Sequence, residues 1–233
     1  MLRTLLLVLP FLAAAAVAVS VVMVPVTWIL GDIRPIYEVT RTVLRMAFRL
    51  AGVRIEMSGP DPWPCPQPCV YMANHISNID PPALFVCLPR VVVVAKAVLF
   101  RWPFFGYLIK LGEFIPVERG KAESRRQALE TAIARLKKGL SVLIFPEGTR
   151  SRDGTLLPFR AGAFTIAIEA QAPIVPITIT GAREIMSKGQ AGIRPGRMRV
   201  TFHPPVPTAG LTQSDRESLI GQVRATIASA LEG

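Results

Sequence analysis

The fold of this chain is decided by the stretch Cys69-Val70-Tyr71-Met72-Ala73-Asn74-His75-Ile76-Ser77-Asn78-Ile79-Asp80-Pro81-Pro82. Its first five residues form an apolar run with the length of a buried strand. The two prolines at its end favour a helix that begins there, because proline is tolerated in the first helical turn. The polar residues in between then form a strand-to-helix turn, which is where open α/β sheets bind ligands.

This turn holds His75, one of only two histidines in the chain, five residues before Asp80. A neutral imidazole takes up a proton near pH 7, and a nearby carboxylate fixes its tautomer and stabilises the imidazolium. The alternative is structural: Asp80 caps the helix by accepting a backbone N–H of its first turn. The two interpretations are compatible, since a capping carboxylate can still present an oxygen to His75.

A second strand-to-turn block occupies residues 141–151. Its turn carries a carboxylate, a glycine, a hydroxyl and a guanidinium, from Glu147, Gly148, Thr149 and Arg150. Both blocks therefore lie where an α/β sheet binds its ligand.

Together the two blocks resemble the glycerolipid acyltransferase family, whose hallmark is an NHxxxxD block followed later by an FPEGTRS block. Two weaker blocks of that family match residues 114–120 and 175–178. The four blocks occur in the family's order and cover roughly residues 70–180. The resemblance is closest to the bacterial-type lysophosphatidic acid acyltransferases.

The resemblance implies an enzyme that transfers a fatty acyl group from acyl-CoA or acyl-carrier protein to the free hydroxyl of lysophosphatidic acid, forming phosphatidic acid. His75 would be the general base and Asp80 its orienter. The thioester is a co-substrate, so no cofactor is expected. Two alternatives stay open: an acyltransferase for another lysolipid, such as a lyso-ornithine lipid, and a lipid-binding membrane protein without turnover.

Positive side chains at strand ends are the candidates for binding the acceptor phosphate. Arg150 offers a planar fork suited to bidentate phosphate binding. Arg119 and Lys96 each follow another apolar run. For each of them the alternative is a solvated charge at a strand end. The resemblance matches Arg150 and Arg119 to phosphate-binding positions, and Lys96 more loosely.

The neighbours of these residues have several open roles. Glu147 is expected either to pair with Arg150 or to support the acceptor site indirectly, as the resemblance implies. Gly148 would permit positive φ or a close backbone approach, and Thr149 would donate to a phosphate oxygen or within the turn.

Ser77 is a rival nucleophile, although a serine in such a turn more often caps a backbone group. Backbone N–H groups near residue 74 or in the 145–148 turn are candidates for stabilising an oxyanion.

The amino-acid composition indicates which class of partner the protein binds. The chain has 27 Lys and Arg against 16 Asp and Glu, and its net charge of +11 favours anionic partners. Aromatic residues make up only 7% and no zinc-finger or RNP signature is present, so nucleic acid is not expected. The mean hydropathy of +0.41 indicates a membrane as the partner instead. The positive net charge favours a bilayer with anionic lipids.

No metal site is expected, because no further His or Cys cluster accompanies His75 and Asp80. The second histidine, His203, lies outside all four blocks and is interpreted as structural. The three cysteines lack the paired spacing of a zinc site and are interpreted as reduced thiols.

Residues 4–31 carry no charged side chain. A helix formed by this segment is long enough to cross a bilayer. Pro10 and Pro25 are expected to kink this helix or to split it into a re-entrant pair. A cleaved signal peptide is the alternative, but the apolar run continues well past the alanines at 13–16. A retained anchor is favoured. Five arginines follow the segment within residues 34–54 and one precedes it, so the domain is expected at the cytoplasmic face of the inner membrane.

Residues 33–51 predict an amphipathic helix with a basic stripe formed by Arg34, Arg41, Arg45 and Arg49. This stripe suits an anionic bilayer surface, or else is the solvated face of a helix that packs on the domain. We therefore divide the chain into an anchoring region, residues 1–52, and a catalytic domain, residues 53–233.

The catalytic domain alternates between the two kinds of secondary structure. Strands are expected at residues 53–57, 69–73, 91–95, 113–117, 141–145, 174–180 and 198–202. Helices are expected at residues 81–88, 104–110, 121–138, 161–170 and 215–231, the last opening with a capping box at 214–217. This alternation predicts an α/β fold with a mainly parallel central sheet wrapped by helices.

Overall fold

A computed structural model of the chain describes residues 2–60, 65–118, 120–190 and 192–231. Its strands are β1 (Val53–Ser58), β2 (Val70–Ala73), β3 (Val91–Lys96), β4 (Ile115–Val117), β5 (Ser141–Ile144), β6 (Ile174–Thr180) and β7 (Gly196–Phe202). Its α-helices are α1 (Leu9–Ala18), α2 (Val24–Leu30), α3 (Arg34–Ala51), α4 (Asp80–Cys87), α5 (Phe105–Leu111), α6 (Ala122–Lys137), α7 (Ala161–Ala170), α8 (Ala182–Ile185) and α9 (Arg216–Ser229).

The seven strands form one sheet in the order β1-β7-β6-β2-β5-β3-β4. Neighbouring strands are parallel except β6 and β7, which pair antiparallel. The predicted α/β fold with a mainly parallel sheet is therefore confirmed. The strand β2, which precedes His75, lies at the centre of the sheet between β6 and β5.

The sheet is covered on both faces, which explains why β2 has no charged residue. All four residues of β2 are 0% exposed. Tyr71 and Ala73 point into a core shared with α3 and α4, whereas Val70 and Met72 point into a core shared with α6, α7 and α9. This alternation follows from the two-residue period of a strand.

The N-terminal apolar helix, Thr4–Leu30, is one continuous helix that is long and apolar enough to cross a bilayer. Pro10 and Pro25 lie in the first turns of α1 and α2, each directly after a π-helical turn (Thr4–Val8 and Val19–Met23). Local π-helical adjustment accommodates a proline that cannot donate its backbone N–H. Of the two alternatives for these prolines, the split into a re-entrant pair is not observed.

Both ends of this apolar helix contact the rest of the protein. Near its start, Thr4 Oγ1 donates to the Ile193 carbonyl at 3.1 Å and accepts from the Ile193 N–H at 2.9 Å. Near its end, Val19 and Val24 are buried against Ile36 of α3. The apolar helix therefore lies along the domain.

The helix α3 packs on the domain through buried side chains that include Tyr37 and Phe48. Its predicted basic stripe is not uniform. Arg34, Arg45 and Arg49 are exposed, but the Arg41 side chain is 14% exposed and its Nη2 donates to the Leu88 carbonyl at 2.7 Å. Arg41 therefore belongs to the contact with the domain and not to a solvated stripe.

The other predicted helices start and end within two residues of the observed ones. The capping box is an exception, because it joins Thr212 and Asp215 and not residues 214–217. A short 3₁₀ turn, Gln213–Asp215, precedes α9 and moves the cap two residues towards the N-terminus. Part of the predicted proline-rich loop, residues 61–64, lies outside the described residues.

Candidate active site

His75 and Asp80 meet in the turn between β2 and α4. The distance from His75 Nδ1 to Asp80 Oδ2 is 2.8 Å, and Asp80 is 0% exposed. An ionised carboxylate only accepts hydrogen bonds, so Nδ1 carries the proton and donates. This tautomer leaves the lone pair of Nε2 available to act as a base.

The carboxylate of Asp80 also orders the turn itself. Asp80 Oδ2 accepts the backbone N–H groups of Ile76 at 2.8 Å and Ser77 at 2.7 Å. Asp80 begins α4, and its side chain points back into the preceding turn, so α4 has no side-chain cap. The expectation that Asp80 caps the helix is therefore wrong, because the same oxygen binds the turn and the imidazole.

Glu147 joins the two sequence blocks. Its Oε1 accepts the His75 backbone N–H at 2.6 Å and its Oε2 accepts the Leu157 N–H at 3.0 Å, and the residue is 3% exposed. Burial raises the pKa of Glu147 to about 7, against the lowering effect of these two N–H groups. Both oxygens are engaged by backbone N–H groups, so the alternative in which Glu147 pairs with Arg150 is not observed. The indirect support of the acceptor site stays a prediction.

Two further contacts fix His75. The Ser151 N–H donates to the His75 carbonyl at 2.8 Å, so the second block also binds the His75 backbone from the other side. The Phe145 ring stacks on the imidazole with centroids 4.2 Å apart and planes inclined by 27°. His75 is thus held by its ring, its N–H and its carbonyl oxygen.

Asn74 has a role that the sequence reasoning missed. Its side-chain Nδ2 donates to the Ile179 carbonyl at 2.9 Å, and its Oδ1 accepts the Ile179 N–H at 2.7 Å. The residue is 1% exposed. Asn74 thereby bonds the end of β2 to β6, 105 residues further along the chain. Its place beside His75 was the only signal in the sequence.

Ser77 is not arranged as a nucleophile. It is 0% exposed, and its hydroxyl donates to the Met186 carbonyl at 2.6 Å. Three of the backbone N–H groups near the two turns are also engaged within the protein: Asp80 accepts those of Ile76 and Ser77, and the Phe145 carbonyl accepts that of Gly148. This serine and these amides are therefore structural.

The turn after β5 carries Gly148, Thr149 and Arg150 between Glu147 and Ser151, which both bond to the His75 backbone. Gly148 has φ +66°, and a Cβ there would lie 2.6 Å from the Arg160 Nε, so both conformation and space favour glycine. Thr149 and Arg150 are partly buried, and the Arg150 carbonyl accepts Lys188 Nζ at 2.7 Å. No sequence pattern marked Lys188, because it lies in an irregular segment 38 residues away.

Lys96, a further candidate cation, lies at the β3–β4 side of the sheet. Lys96 ends β3 and lines an open cavity of about 260 Å³ together with residues such as Arg101 and Glu118. Arg119 lies outside the described residues. In the described part of the chain, His, Cys, Asp and Glu side chains form no group that could hold a metal ion.

His203 lies apart from the His75–Asp80 pair. The Thr178 hydroxyl donates to the Ile227 carbonyl at 2.8 Å, so His203 Nε2–H donates to Thr178 Oγ1, also at 2.8 Å. Burial lowers the pKa of His203. These contacts connect β6, β7 and α9 and agree with a structural role.

A family model described as Acyltransferase matches residues 54–180 of the chain. The chain belongs to the glycerolipid acyltransferase family. It is 34% identical over 207 residues to 1-acyl-sn-glycerol-3-phosphate acyltransferase alpha from Homo sapiens, a match that covers 88% of this chain and 73% of that protein. It is 40% identical over 140 residues to 1-acyl-sn-glycerol-3-phosphate acyltransferase BAT2, chloroplastic, from Brassica napus, covering 60% of this chain and 41% of that protein.

A solved acyltransferase shares the fold. The crystal structure of the 1-acyl-sn-glycerophosphate (LPA) acyltransferase PlsC from Thermotoga maritima superimposes with a TM-score of 0.84 at 26% sequence identity. The alignment covers 99% of this chain and 95% of that chain.

The family match starts at residue 54, whereas the core of the sheet also includes Val8 and Phe48. The division into domains at residues 52 and 53 stays a prediction.

Proposed function

We propose that this acyltransferase transfers a fatty acyl group from an acyl-CoA or acyl-carrier-protein thioester to the free hydroxyl of lysophosphatidic acid, giving phosphatidic acid. The names of the human and Thermotoga maritima relatives support this acceptor. The observation that carries the proposal is the 2.8 Å contact from His75 Nδ1 to the buried Asp80 carboxylate, which leaves Nε2 as the base.

In this mechanism the acceptor hydroxyl attacks the thioester directly. His75 Nε2 takes the hydroxyl proton as the oxygen bonds to the carbonyl carbon, and Asp80 stabilises the imidazolium that forms. The tetrahedral intermediate then loses the thiolate as the carbon–sulfur bond breaks. The thiolate takes the proton from the imidazolium, which restores neutral His75 and releases an ester and a free thiol. No cofactor enters these steps.

Arg150 is the proposed partner of the acceptor phosphate, because a guanidinium binds two phosphate oxygens at once. Thr149 adds a hydroxyl donor, and Gly148 permits the turn that presents both. Lys96 and Arg119 are proposed to add positive charge to the same substrate. Glu147 is proposed to hold the turn and His75 at a fixed separation.

We further propose that the N-terminal apolar helix attaches the enzyme to the cytoplasmic leaflet of the inner membrane. Most of this helix is exposed, and it includes Trp28 and Ile29, which are 69% and 83% exposed. Because both of its ends contact the domain, the helix fits a position along one leaflet better than a crossing. The exposed Arg34, Arg45 and Arg49 nearby suit anionic lipids.

Release of free thiol tests the proposed reaction. The purified full-length protein in mixed vesicles is expected to release thiol from acyl-CoA only when lysophosphatidic acid is present. Lysophospholipids with other head groups and a lyso-ornithine lipid, each tried with both donors, define the acceptor and the donor. A protein that binds lysophosphatidic acid but releases no thiol with either donor would be a non-catalytic lipid-binding protein.

A further inference from the structure

A group of exposed apolar side chains lies between β3 and β4. Val98, Trp102, Phe104, Phe105 and Tyr107 are 53%, 56%, 49%, 42% and 41% exposed. We refer to these five residues as the aromatic patch. Beyond residue 30, the described part of the chain exposes only two other large apolar side chains to this degree, Met46 and Met57. Clustered exposure of this kind marks an interaction surface.

The backbone holds the aromatic patch in a defined shape. Residues Ala97–Arg101 form a 3₁₀ turn, and a Cβ on Gly106 would lie 2.5 Å from the Phe100 carbonyl oxygen, so α5 packs tightly on this turn. Phe104 has φ +58°, a conformation that side-chain-bearing residues rarely adopt. The Trp102 and Phe105 rings contact each other with centroids 6.1 Å apart. The aromatic side chains are thus exposed on an ordered support.

The aromatic patch is connected to the N-terminal apolar helix through a shared small core. Leu108 and Leu111 of α5 pack on the small core formed by Val19, Val24 and Ile36. The helix that carries Phe105 and Tyr107 and the N-terminal apolar helix therefore pack on the same small core. A flat lipid surface that contacts one of them is well placed to contact the other.

Positive charges outnumber negative ones around the aromatic patch, although Glu118 lines the cavity beside Val98 and Arg101, and Glu113 pairs with Arg90 at 2.8 Å. Residues 90–112 contain Arg90, Lys96, Arg101 and Lys110 and no Asp or Glu. Arg101 and Lys110 are exposed. Trp and Tyr favour the headgroup level of a membrane, and Lys and Arg beside them are attracted to anionic lipids.

We propose that the aromatic patch is a second membrane contact, which docks on a leaflet with anionic headgroups beside the N-terminal apolar helix. This inference rests on the membrane attachment in the proposed function and adds a new surface to it. Val98 and Arg101 also line the cavity at Lys96. Docking therefore places this cavity beside the leaflet that holds a lysolipid acceptor.

Trp102 provides the probe for this contact. In full-length protein carrying Trp28→Phe and Trp63→Phe, Trp102 is the only tryptophan left of three. We expect vesicles of phosphatidylcholine and phosphatidylglycerol with brominated acyl chains to quench its emission. The matched control is Gln127→Trp in a chain whose native tryptophans are all Phe, since Gln127 is exposed on α6, which covers the opposite face of the sheet. The tryptophan emission of this control should be unchanged when the brominated vesicles are added.

A chain that keeps only Trp28 separates the two proposals. Quenching of Trp28 without quenching of Trp102 would overturn the second contact and leave the membrane attachment standing. The absence of quenching at both would overturn both.

An independent measurement uses vesicle affinity. Trp102→Ser together with Phe105→Ser should weaken binding to these vesicles about tenfold, because two apolar rings no longer enter the leaflet. Met57→Ser removes an equally exposed apolar side chain from β1, at the other edge of the sheet, and should leave affinity unchanged. Equal affinities for the wild type and the double variant would contradict the proposal.

Discussion

Glu147 holds His75 by its backbone, through the 2.6 Å hydrogen bond from the His75 N–H to Glu147 Oε1. The second oxygen of the same carboxylate accepts the N–H of Leu157, beyond the turn that carries Arg150. One buried side chain therefore sets the distance between the proposed base and the proposed phosphate-binding turn.

Glu147→Gln should lower kcat about 10- to 100-fold, because small displacements of a reacting group cost about that much. The amide oxygen of Gln can accept one of the two N–H groups, but its NH₂ group cannot accept the other. The KM for the acceptor should stay unchanged in Glu147→Gln, because Glu147 is proposed to position His75 and not to bind the phosphate. Arg150→Lys is the contrast, since it should affect mainly the acceptor KM. A Glu147→Gln protein with wild-type kinetics would contradict it.

The raised pKa of Glu147 also makes a prediction about stability. Between its ordinary pKa of 4.5 and its folded pKa of about 7, the folded protein binds more protons than the unfolded chain. The stability linked to this group is therefore present below pH 4.5 and is lost as the pH rises through 7. Thermal unfolding from pH 4.5 to 8 should show this loss in the wild type and a flatter profile in Glu147→Gln. Parallel profiles would exclude the linkage.

Asp80→Asn should lower kcat about 100-fold or more, because the imidazolium loses its compensating charge. The amide oxygen of Asn can replace Oδ2 and still accept the N–H groups of Ile76 and Ser77. Asp80→Ala loses these bonds as well and should lower the Tm further than Asp80→Asn. Two variants with the same Tm and unequal activity would show that the side chain does not order the turn.

Arg150→Lys should raise the KM for lysophosphatidic acid about tenfold and leave the KM for the thioester unchanged, because Lys keeps the charge but lacks the fork. The matched control is Arg152→Lys, since Arg152 is an exposed arginine two residues away. Initial rates at varied acceptor and donor concentrations measure both constants. A defect confined to the donor KM would assign Arg150 to the thioester instead.

The proposed orientation is testable with protease and sealed membrane vesicles. In inverted vesicles the catalytic domain should be cleaved from outside, because five arginines after the apolar helix stay on the cytoplasmic side. In right-side-out vesicles it should be protected. The reverse pattern would overturn the cytoplasmic assignment.

Much of the fold was predictable because local patterns determine it. The predicted strand at 174–180 agrees with β6, and the parallel sheet follows from the alternation of strands and helices. The antiparallel pairing of β7 with β6 was not predictable, because it depends on where the chain returns after α8. The same holds for the cap of α9, which a short 3₁₀ turn displaces.

The sequence indicated which residues form the candidate site better than it indicated their hydrogen-bond partners. The spacing of His75 and Asp80 indicated their pairing, because a short turn keeps both side chains together. The partners of Glu147, Asn74 and Lys188 come from residues 10 to 105 positions away. Such contacts depend on tertiary packing, which no local pattern encodes.

The rate of thiol release by purified His75→Ala shows whether His75 is the general base of the reaction. Loss of a general base typically costs about 100- to 10,000-fold, and the Tm should change little because the backbone bonds of His75 to Glu147 and Ser151 remain. The control is His203→Gln, which changes the only other histidine and should keep its activity. We expect a folded His75→Ala protein with at most about one hundredth of the wild-type rate. A folded His75→Ala protein with a rate close to that of the wild type would contradict it.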